Sequence, residues 1–498
     1  MDRAKRSAVE GSIAAGADFL QLDVGEAPPG GRADWLATRL RAAIADGRVP
    51  VGARLPASRV LAAELGVSRG VVTEAYQRLT EDGHVVGRGR AGTVVVATPA
   101  AVVTRAPAPP RPPQLFAARP DTAVFDALRN APAELDLTPG VPDLAAFPRA
   151  AWLRAERAVL HRLAPAAFGY GDPTGTPALR LAVATWLARN RGIRVDPAEV
   201  VVVAGVSQAL GLLAQVLHAD GVHTVAVEDP GSLGVRQHLN NWRLDTPPVP
   251  VDAHGLRVDR LEASGAPAVM LTPAHQFPTG VVLDGDRRRR LLRWARRGGL
   301  VIEDDYDAEH RYDRPPVPAL RGMLPDRVCY TGSVSKLLAP ALRIGWVLVP
   351  PRLHADLVAA KRMADLGNAA LPQLVLAELM DSGALERHLR LLRRRHVRRR
   401  DAMIRAVHEH LPGAVVHGAA AGLHLLVTLP GEVDDTALAA AALRQGVKVQ
   451  PLSWHGQRPQ PPGLVLGYAA NLPTDIDRAL ATLATVLRDL RRPLSPPR

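Results

Sequence analysis

Lysine is scarce in this chain. Of its 498 residues only four are lysine: Lys5, Lys336, Lys361 and Lys448. Lys336 closes the turn Ser333–Val334–Ser335–Lys336, and Arg343 follows seven residues later. A primary amine forms a Schiff base with an aldehyde, and hydroxyls with a guanidinium hold a phosphate. Together these residues suit a phosphorylated aldehyde. Lys336 taken alone would read as a surface lysine; its company gives it a chemical use. Three other segments could share the site. Asp304–Asp305–Tyr306 offers two acids that can bind a metal, stabilise a cation or cap a helix. Gly205–Val206–Ser207 opens a helical pattern, where small residues and free N–H groups suit a phosphate. The turn His275–Gln276–Phe277–Pro278–Thr279–Gly280 can line the same mouth.

The elements that must position these residues alternate. Short apolar runs at 200–203, 224–227, 268–271, 300–302, 328–331 and 345–349 read as buried strands. Helical patterns such as 177–190, 208–218 and 287–297 lie between them. Alternation of this kind predicts an α/β fold with a mostly parallel sheet over about 134–490. Ligands then sit beyond the C-terminal ends of the strands, where the motifs above fall.

A separate module precedes this region, over about 30–98. Leu36, Leu40 and Ile44 place one apolar face on a helix near 32–46. Ser58 is a candidate N-cap for a second helix, and Ser68 for a third running to about Glu81. Two β-prone runs, 84–86 and 93–96, flank Gly87-Arg-Gly-Arg-Ala-Gly92. Helix, turn, helix and basic hairpin is the winged helix-turn-helix plan. In it the third helix presents Arg69 and Thr73 to a major groove. Arg59 and the helix N-termini meet phosphates, and the wing brings Arg88, Gly89 and Arg90 to the backbone. The competing reading is a small dimerisation module with a solvated basic face.

Residues 99–133 carry eight prolines and read as an extended, semi-rigid linker, and 1–29 as a poorly ordered arm. With 47% hydrophobic and 22% charged residues the chain can bury cores and is not disordered throughout. A single cysteine, Cys329, excludes a disulfide framework. The histidines show no metal-ligand spacing, since His408 and His410 would face apart on a helix. No apolar run is long enough for a membrane span and the start lacks a signal-peptide pattern, so a cytoplasmic location is expected. A net charge of +13 favours a polyanionic partner, double-stranded DNA first. Eight arginines fall within 387–400; they read as the solvated face of a long helix, with a DNA-phosphate surface as the alternative.

The segment LPASRVLAAELGVSRGVVTEAYQRLTEDGHVVGRGRAGTVV resembles the DNA-binding domain of GntR regulators. The resemblance places Arg59, Arg69, Thr73 and the wing at Arg88–Arg90 on DNA. YGDPTGTPALRLAVATWLARNRG, TPAHQFPTG, IEDDYDAEHRY and TGSVSKLLAPALRIGW resemble the fold type I aminotransferase-like domain, with large and small lobes in three α/β layers, of MocR-type regulators. An Asp, a Lys and a phosphate cradle on one sheet edge are what pyridoxal phosphate requires. The resemblance implies that Lys336 forms the Schiff base and Asp304 pairs with the ring nitrogen. Tyr306 then bonds the phenolic oxygen, while Ser333, Ser335, Arg343 and Gly205–Ser207 hold the phosphate. Tyr170 reaches a phosphate across a head-to-tail homodimer.

Three positions depart from that pattern. Ser232 stands where an aromatic residue would stack on the cofactor, and Phe277 where aminotransferases carry an asparagine. Val465 stands where transaminases hold a substrate carboxylate with an arginine; Arg458 is near in sequence. The sequence therefore predicts a DNA-binding regulator sensing a small effector, pyridoxal phosphate itself or an amino compound. The alternative is a working aminotransferase with an appended DNA-binding domain.

Overall fold

The computed structural model describes residues 22–89, 92–98, 115–116, 120–307, 309–313 and 317–491. The chain divides into two units, residues 1–111 and 112–498.

In the first unit, helices Arg32–Ala45, Ser58–Glu64 and Arg69–Glu81 precede a hairpin of Val85–Gly87 and Thr93–Val95. Leu36, Leu40 and Ile44 are buried on one helix face, against Leu61, Val72 and Leu79. The Tyr76 hydroxyl donates to Pro56 O (2.8 Å), tying the third helix to the turn before the second. Two expectations change. Ala57, not Ser58, is the N-cap of the second helix, and Ser68 caps the third by backbone position without a side-chain bond. Part of the expected arm is ordered: Asp23 caps the short turn Val24–Glu26, and Glu26 pairs with Arg39.

The second unit is built on an eight-stranded mixed sheet. In spatial order its strands are Val201–Val203, Gly345–Leu348, Val328–Ser333, Leu300–Asp305, Ala268–Leu271, Val225–Asp229, Pro248–Asp252 and Gly255–Leu256. Neighbours from Val328–Ser333 through Pro248–Asp252 are parallel; Gly345–Leu348 runs antiparallel to both its neighbours. Successive side chains of a strand point to opposite faces. Val201 and Val203 accordingly join a cluster with the helix Val206–Ala219, while Val202 joins one with the helix Pro177–Arg191. Helices on both faces give three layers.

A second lobe carries the antiparallel strands Val415–His417, His424–Thr428, Gly463–Gly467 and Gln450–Pro451. Helices Ala384–His410, Asp435–Arg444 and Pro473–Arg491 contribute to its core, through residues such as Met403, Leu438 and Leu480. Leu385 and Leu392 of the long helix are buried as expected; Leu389 is half-buried. The 99–133 stretch is not extended throughout. Val124–Asn130 is a helix, because Val124 and Leu128 bury against Leu233 and Trp454 of the second unit.

Candidate functional site

Strand register assembles the site. In the parallel pairing of Leu300–Asp305 with Val328–Ser333, Thr331 lies opposite Asp304 and donates its hydroxyl to it (3.0 Å). Alternation then sends Asp305 to the other face. There it takes Arg191 Nε (2.5 Å) and the Tyr330 hydroxyl (2.6 Å) in a buried structural pair. Gly345 pairs with Ser333 on one side and Val203 on the other. A Cβ at Gly345 would lie 3.1 Å from the Gly205 Cα and 3.2 Å from the Ser333 Cβ. This close approach joins the turn before helix Val206–Ala219 to the turn that carries Lys336.

These turns border an open cavity of about 480 Å³. Lys336, Asp304 and Tyr306 line it, as do Ser333, Ser335 and Arg343, together with Val206, Ser207 and Ser232. Gly205 lies against it with φ 82° and ψ 173°, a conformation available essentially only to glycine. Its missing side chain leaves room for Arg343, whose Nη1 would be 3.2 Å from a Cβ there. Arg343 itself has φ 51° and bonds the Ala204 carbonyl. Ser207 and the first N–H groups of the helix complete an anion cradle with Ser333, Ser335 and Arg343.

At the other end, Lys336 Nζ donates to Gly140 O (2.5 Å). Burial pushes the Lys336 ammonium below its ordinary pKa, with Asp307 and Asp304 opposing. A neutral amine is the nucleophilic form. Burial pushes Asp304 up to about 7, against the Thr331 hydrogen bond. A buried carboxyl with one hydroxyl partner and no ion pair among the described residues, its only nearby amine being the buried Lys336, fits a protonated ring nitrogen.

Tyr306 is backed by a histidine. His275 Nδ1 lies 2.9 Å from Asp307 Oδ2 and 3.0 Å from the Tyr306 oxygen. His275 Nδ1 thus sits between the Asp307 carboxylate and the Tyr306 hydroxyl. The Tyr306 hydroxyl lies at the cavity with Asp307 as well as His275 for hydrogen-bond partners. Burial, first among several causes, raises the Tyr306 phenol well above its ordinary value and keeps it a donor. His275 is thus a support behind Tyr306 and not a wall of the cavity. Gly422 makes room for it: a Cβ there would be 2.0 Å from its Cε1.

Sequence reasoning missed Asp307, Gly140, His424 and Arg129. Asp307 was legible as the acid three residues after Asp304; the other three come from distant elements. Ser232 does line the cavity, but its hydroxyl accepts the Val235 N–H (3.3 Å) as a helix cap. Val465 is fully buried with Leu426 and Leu452, and Phe277 packs on them. Arg458 is committed to the buried Asp229 (2.7 Å). Tyr170 is 97% exposed and outside the cavity of its own chain.

In the first unit Arg59, Ser68, Arg69, Thr73, Arg88 and Gly89 are all exposed. Among the described residues none of Arg59, Arg69 and Arg88 has an acidic partner, whereas Arg39, Arg41, Arg48 and Arg78 are ion-paired. Arg69 Nε reaches the Ser58 hydroxyl (3.4 Å). Thr73 bonds back to Arg69 O (2.9 Å). Arg90 lies outside the described residues. No helix among the described residues is long and apolar enough to cross a membrane.

A winged helix joined to a type I aminotransferase fold defines a class of regulators built on an enzyme scaffold. The family models agree: residues 33–95 match the bacterial regulatory proteins of the gntR family, and 133–482 match aminotransferase class I and II. The chain is 32% identical over 453 residues to the probable rhizopine catabolism regulatory protein MocR of Rhizobium meliloti, covering 89% of this chain and 91% of that protein. It is 32% identical to the pyridoxine biosynthesis transcriptional regulator PdxR of Corynebacterium glutamicum, covering 88% and 91%. The kynurenine aminotransferase of Pyrococcus horikoshii superposes with a TM-score of 0.68 at 28% identity, covering 74% of this chain and 94% of that one. The chain belongs to the MocR-type branch of the GntR transcriptional regulators. Its aminotransferase family implies pyridoxal 5'-phosphate as the cofactor. The amine, the uncompensated acid and the anion cradle around one cavity fit that group.

Proposed function

We propose that this chain is a homodimeric, DNA-binding regulator whose second unit holds pyridoxal phosphate and signals its presence. Lys336 holds the cofactor aldehyde, Asp304 its ring nitrogen and Tyr306 its phenolic oxygen. Gly205, Val206, Ser207, Ser333, Ser335 and Arg343 hold the phosphate, and Tyr170 serves the partner's site. When bound, the cofactor supplies an electron sink for amino compounds. Arg59, Arg69, Thr73 and the wing serve the DNA phosphates and bases.

One observation carries the choice of signal. The position for a substrate carboxylate, Val465, is sealed in an apolar cluster with Phe277, and Arg458 is locked on Asp229. An amino acid entering this cavity lacks the bidentate, charge-assisted contact that an arginine at position 465 would give its carboxylate; among the described residues the one further guanidinium on the cavity wall outside the phosphate cradle, Arg129, is exposed and paired with Asp126. The buried polar groups of the cavity suit the cofactor and none of them is an arginine for that carboxylate, which favours pyridoxal phosphate itself as the effector over an amino compound. Regulation requires that occupied and vacant states differ in DNA affinity.

The test is a spectrum and a titration. Purified protein should show a violet-blue absorption band that Lys336→Ala lacks. Its affinity for its own upstream DNA should change on adding pyridoxal phosphate and not on adding amino acids. Absence of the band with added pyridoxal phosphate would remove the sensing reading. Sustained turnover of an amino donor with a keto acid would favour the alternative, an active aminotransferase.

A further inference from the structure

The helix Ala384–His410 carries nine arginines against three acids, Glu386, Asp401 and Glu409. Four of the nine serve the fold. Arg395 and Arg399 hold the buried Asp143 (2.6 and 2.7 Å), Arg400 pairs with Asp401 (2.7 Å), and Arg393 donates to Tyr312 O (3.0 Å). The other five, Arg387, Arg390, Arg394, Arg398 and Arg405, are exposed. Among the described residues no carboxylate pairs with any of them; Arg387 alone makes a hydrogen bond, to Ser382 O (3.2 Å).

At about 100° per residue their spacing keeps all five within roughly an 80° stripe. The stripe runs about 27 Å along the helix, the axial span of about eight phosphates of one DNA strand. Five unpaired guanidiniums in a row repel one another, and nothing in the packing of this helix requires them. A polyanion resolves that repulsion. The opposite, apolar face is buried in the core, and Leu391 is the one large apolar side chain of this helix that is exposed. A membrane-adsorbing helix needs its apolar face free, so an anionic lipid surface is the poorer match.

We infer that this stripe is a second, sequence-independent DNA contact, binding the phosphodiester backbone of a duplex held by the winged helix of the same protein. It rests on the DNA-binding reading above. Phosphate contacts add affinity and salt dependence without adding base preference.

The experiment compares full-length protein with Arg390→Gln/Arg394→Gln/Arg398→Gln/Arg405→Gln. Glutamine keeps helix propensity, and unchanged circular dichroism and cofactor absorption check the fold. The probe is a long mixed-sequence duplex, titrated at several salt concentrations. Each lost phosphate contact should flatten the plot of log affinity against log salt by about 0.9. Between 50 and 200 mM salt the native protein should then lose about 10-fold (two contacts) to about 150-fold (four contacts) more affinity than the variant. Equal slopes and affinities would overturn the inference. So would sedimentation with phosphatidylserine vesicles at salt where the duplex is ignored. The control Arg59→Gln/Arg69→Gln separates the two readings. If it abolishes binding while the quadruple variant changes nothing, the winged helix stands and the stripe falls. If only the quadruple variant loses binding, the winged-helix reading falls, and with it the inference that the stripe is a second contact on a duplex held there.

Discussion

Replacing Asp304 by asparagine should stabilise the cofactor-free protein and ruin its cofactor site. Burial raises the Asp304 carboxyl from 3.8 to about 7. At 1.36 kcal/mol per pKa unit, holding it ionised in the folded state above pH 7 costs ~4 kcal/mol. The sign follows from proton counts. Between pH 3.8 and 7 the folded chain binds more protons at this group than the unfolded chain. The contribution to stability is therefore full below about 4 and lost as pH rises through about 7. Asparagine carries no charge, and its carbonyl still accepts the Thr331 hydroxyl. Its buried amide without a partner costs about 1–3 kcal/mol. The net gain for cofactor-free Asp304→Asn at pH 8 is therefore ~1–3 kcal/mol. At pH 5 the wild-type cost has shrunk by ~3 kcal/mol, so the advantage vanishes or reverses. With pyridoxal phosphate the order inverts, because the wild-type carboxylate gains its cation. Removing one partner of such a buried pair costs about 2–5 kcal/mol, a loss of about 30-fold or more in affinity. Urea denaturation of both proteins at pH 8 and pH 5, with and without the cofactor, reads all four corners. A variant less stable than wild type at pH 8 without cofactor, or one with undiminished cofactor affinity, would refute the reasoning.

Three further outcomes are expected. His396 is fully buried with neither ring nitrogen bonded, and burial pulls it down to about 2. Its stability contribution is lost as pH falls below 6.5, by ~1.4 kcal/mol between pH 8 and pH 5.5. His396→Leu should remove that much of the acid sensitivity, as read from denaturation midpoints; an unchanged pH slope would show that the histidine is paired. Gly205→Ala forces a side chain into a glycine-only conformation beside Arg343, at about 1–3 kcal/mol, and should weaken pyridoxal phosphate binding at least tenfold by spectral titration. Leu79→Ala empties part of the first unit's core and should cost it about 2–5 kcal/mol. DNA binding should then fail on warming before the cofactor band does; simultaneous loss would mean that the two units unfold as one.

The sequence by itself determined the elements and the chemical menu. Continuous valine runs such as 201–203 and helical spacings such as Leu36–Leu40–Ile44 are local properties, and they appear as strand and helix where expected. So do the two turns rich in serine and glycine, because glycine and proline punctuate a chain locally. The strand Pro248–Asp252 was not legible, since its prolines speak against a strand; it pairs with Val225–Asp229 on one side, and on the other the short Gly255–Leu256 pairs only with Val251 and Asp252, which leaves the prolines tolerated. The helix Val124–Asn130 was hidden by the surrounding prolines and is held by Leu233 and Trp454, far away in sequence.

The tertiary structure decided which polar residues meet. Among the described lysines, Lys361 is spent on Asp365 and Lys448 on Asp136, which leaves Lys336 to face the cavity. Between two adjacent acids, one-residue alternation gave Asp304 to the cavity and Asp305 to Arg191. Nothing in a linear sequence distinguishes them, because their neighbours arrive from strands and helices far along the chain. The same holds for His275, named for its place in a turn and placed by packing behind Tyr306 on Asp307. It holds also for the arginines of the long helix, where composition gave the charge and only packing showed which ones are left unpaired.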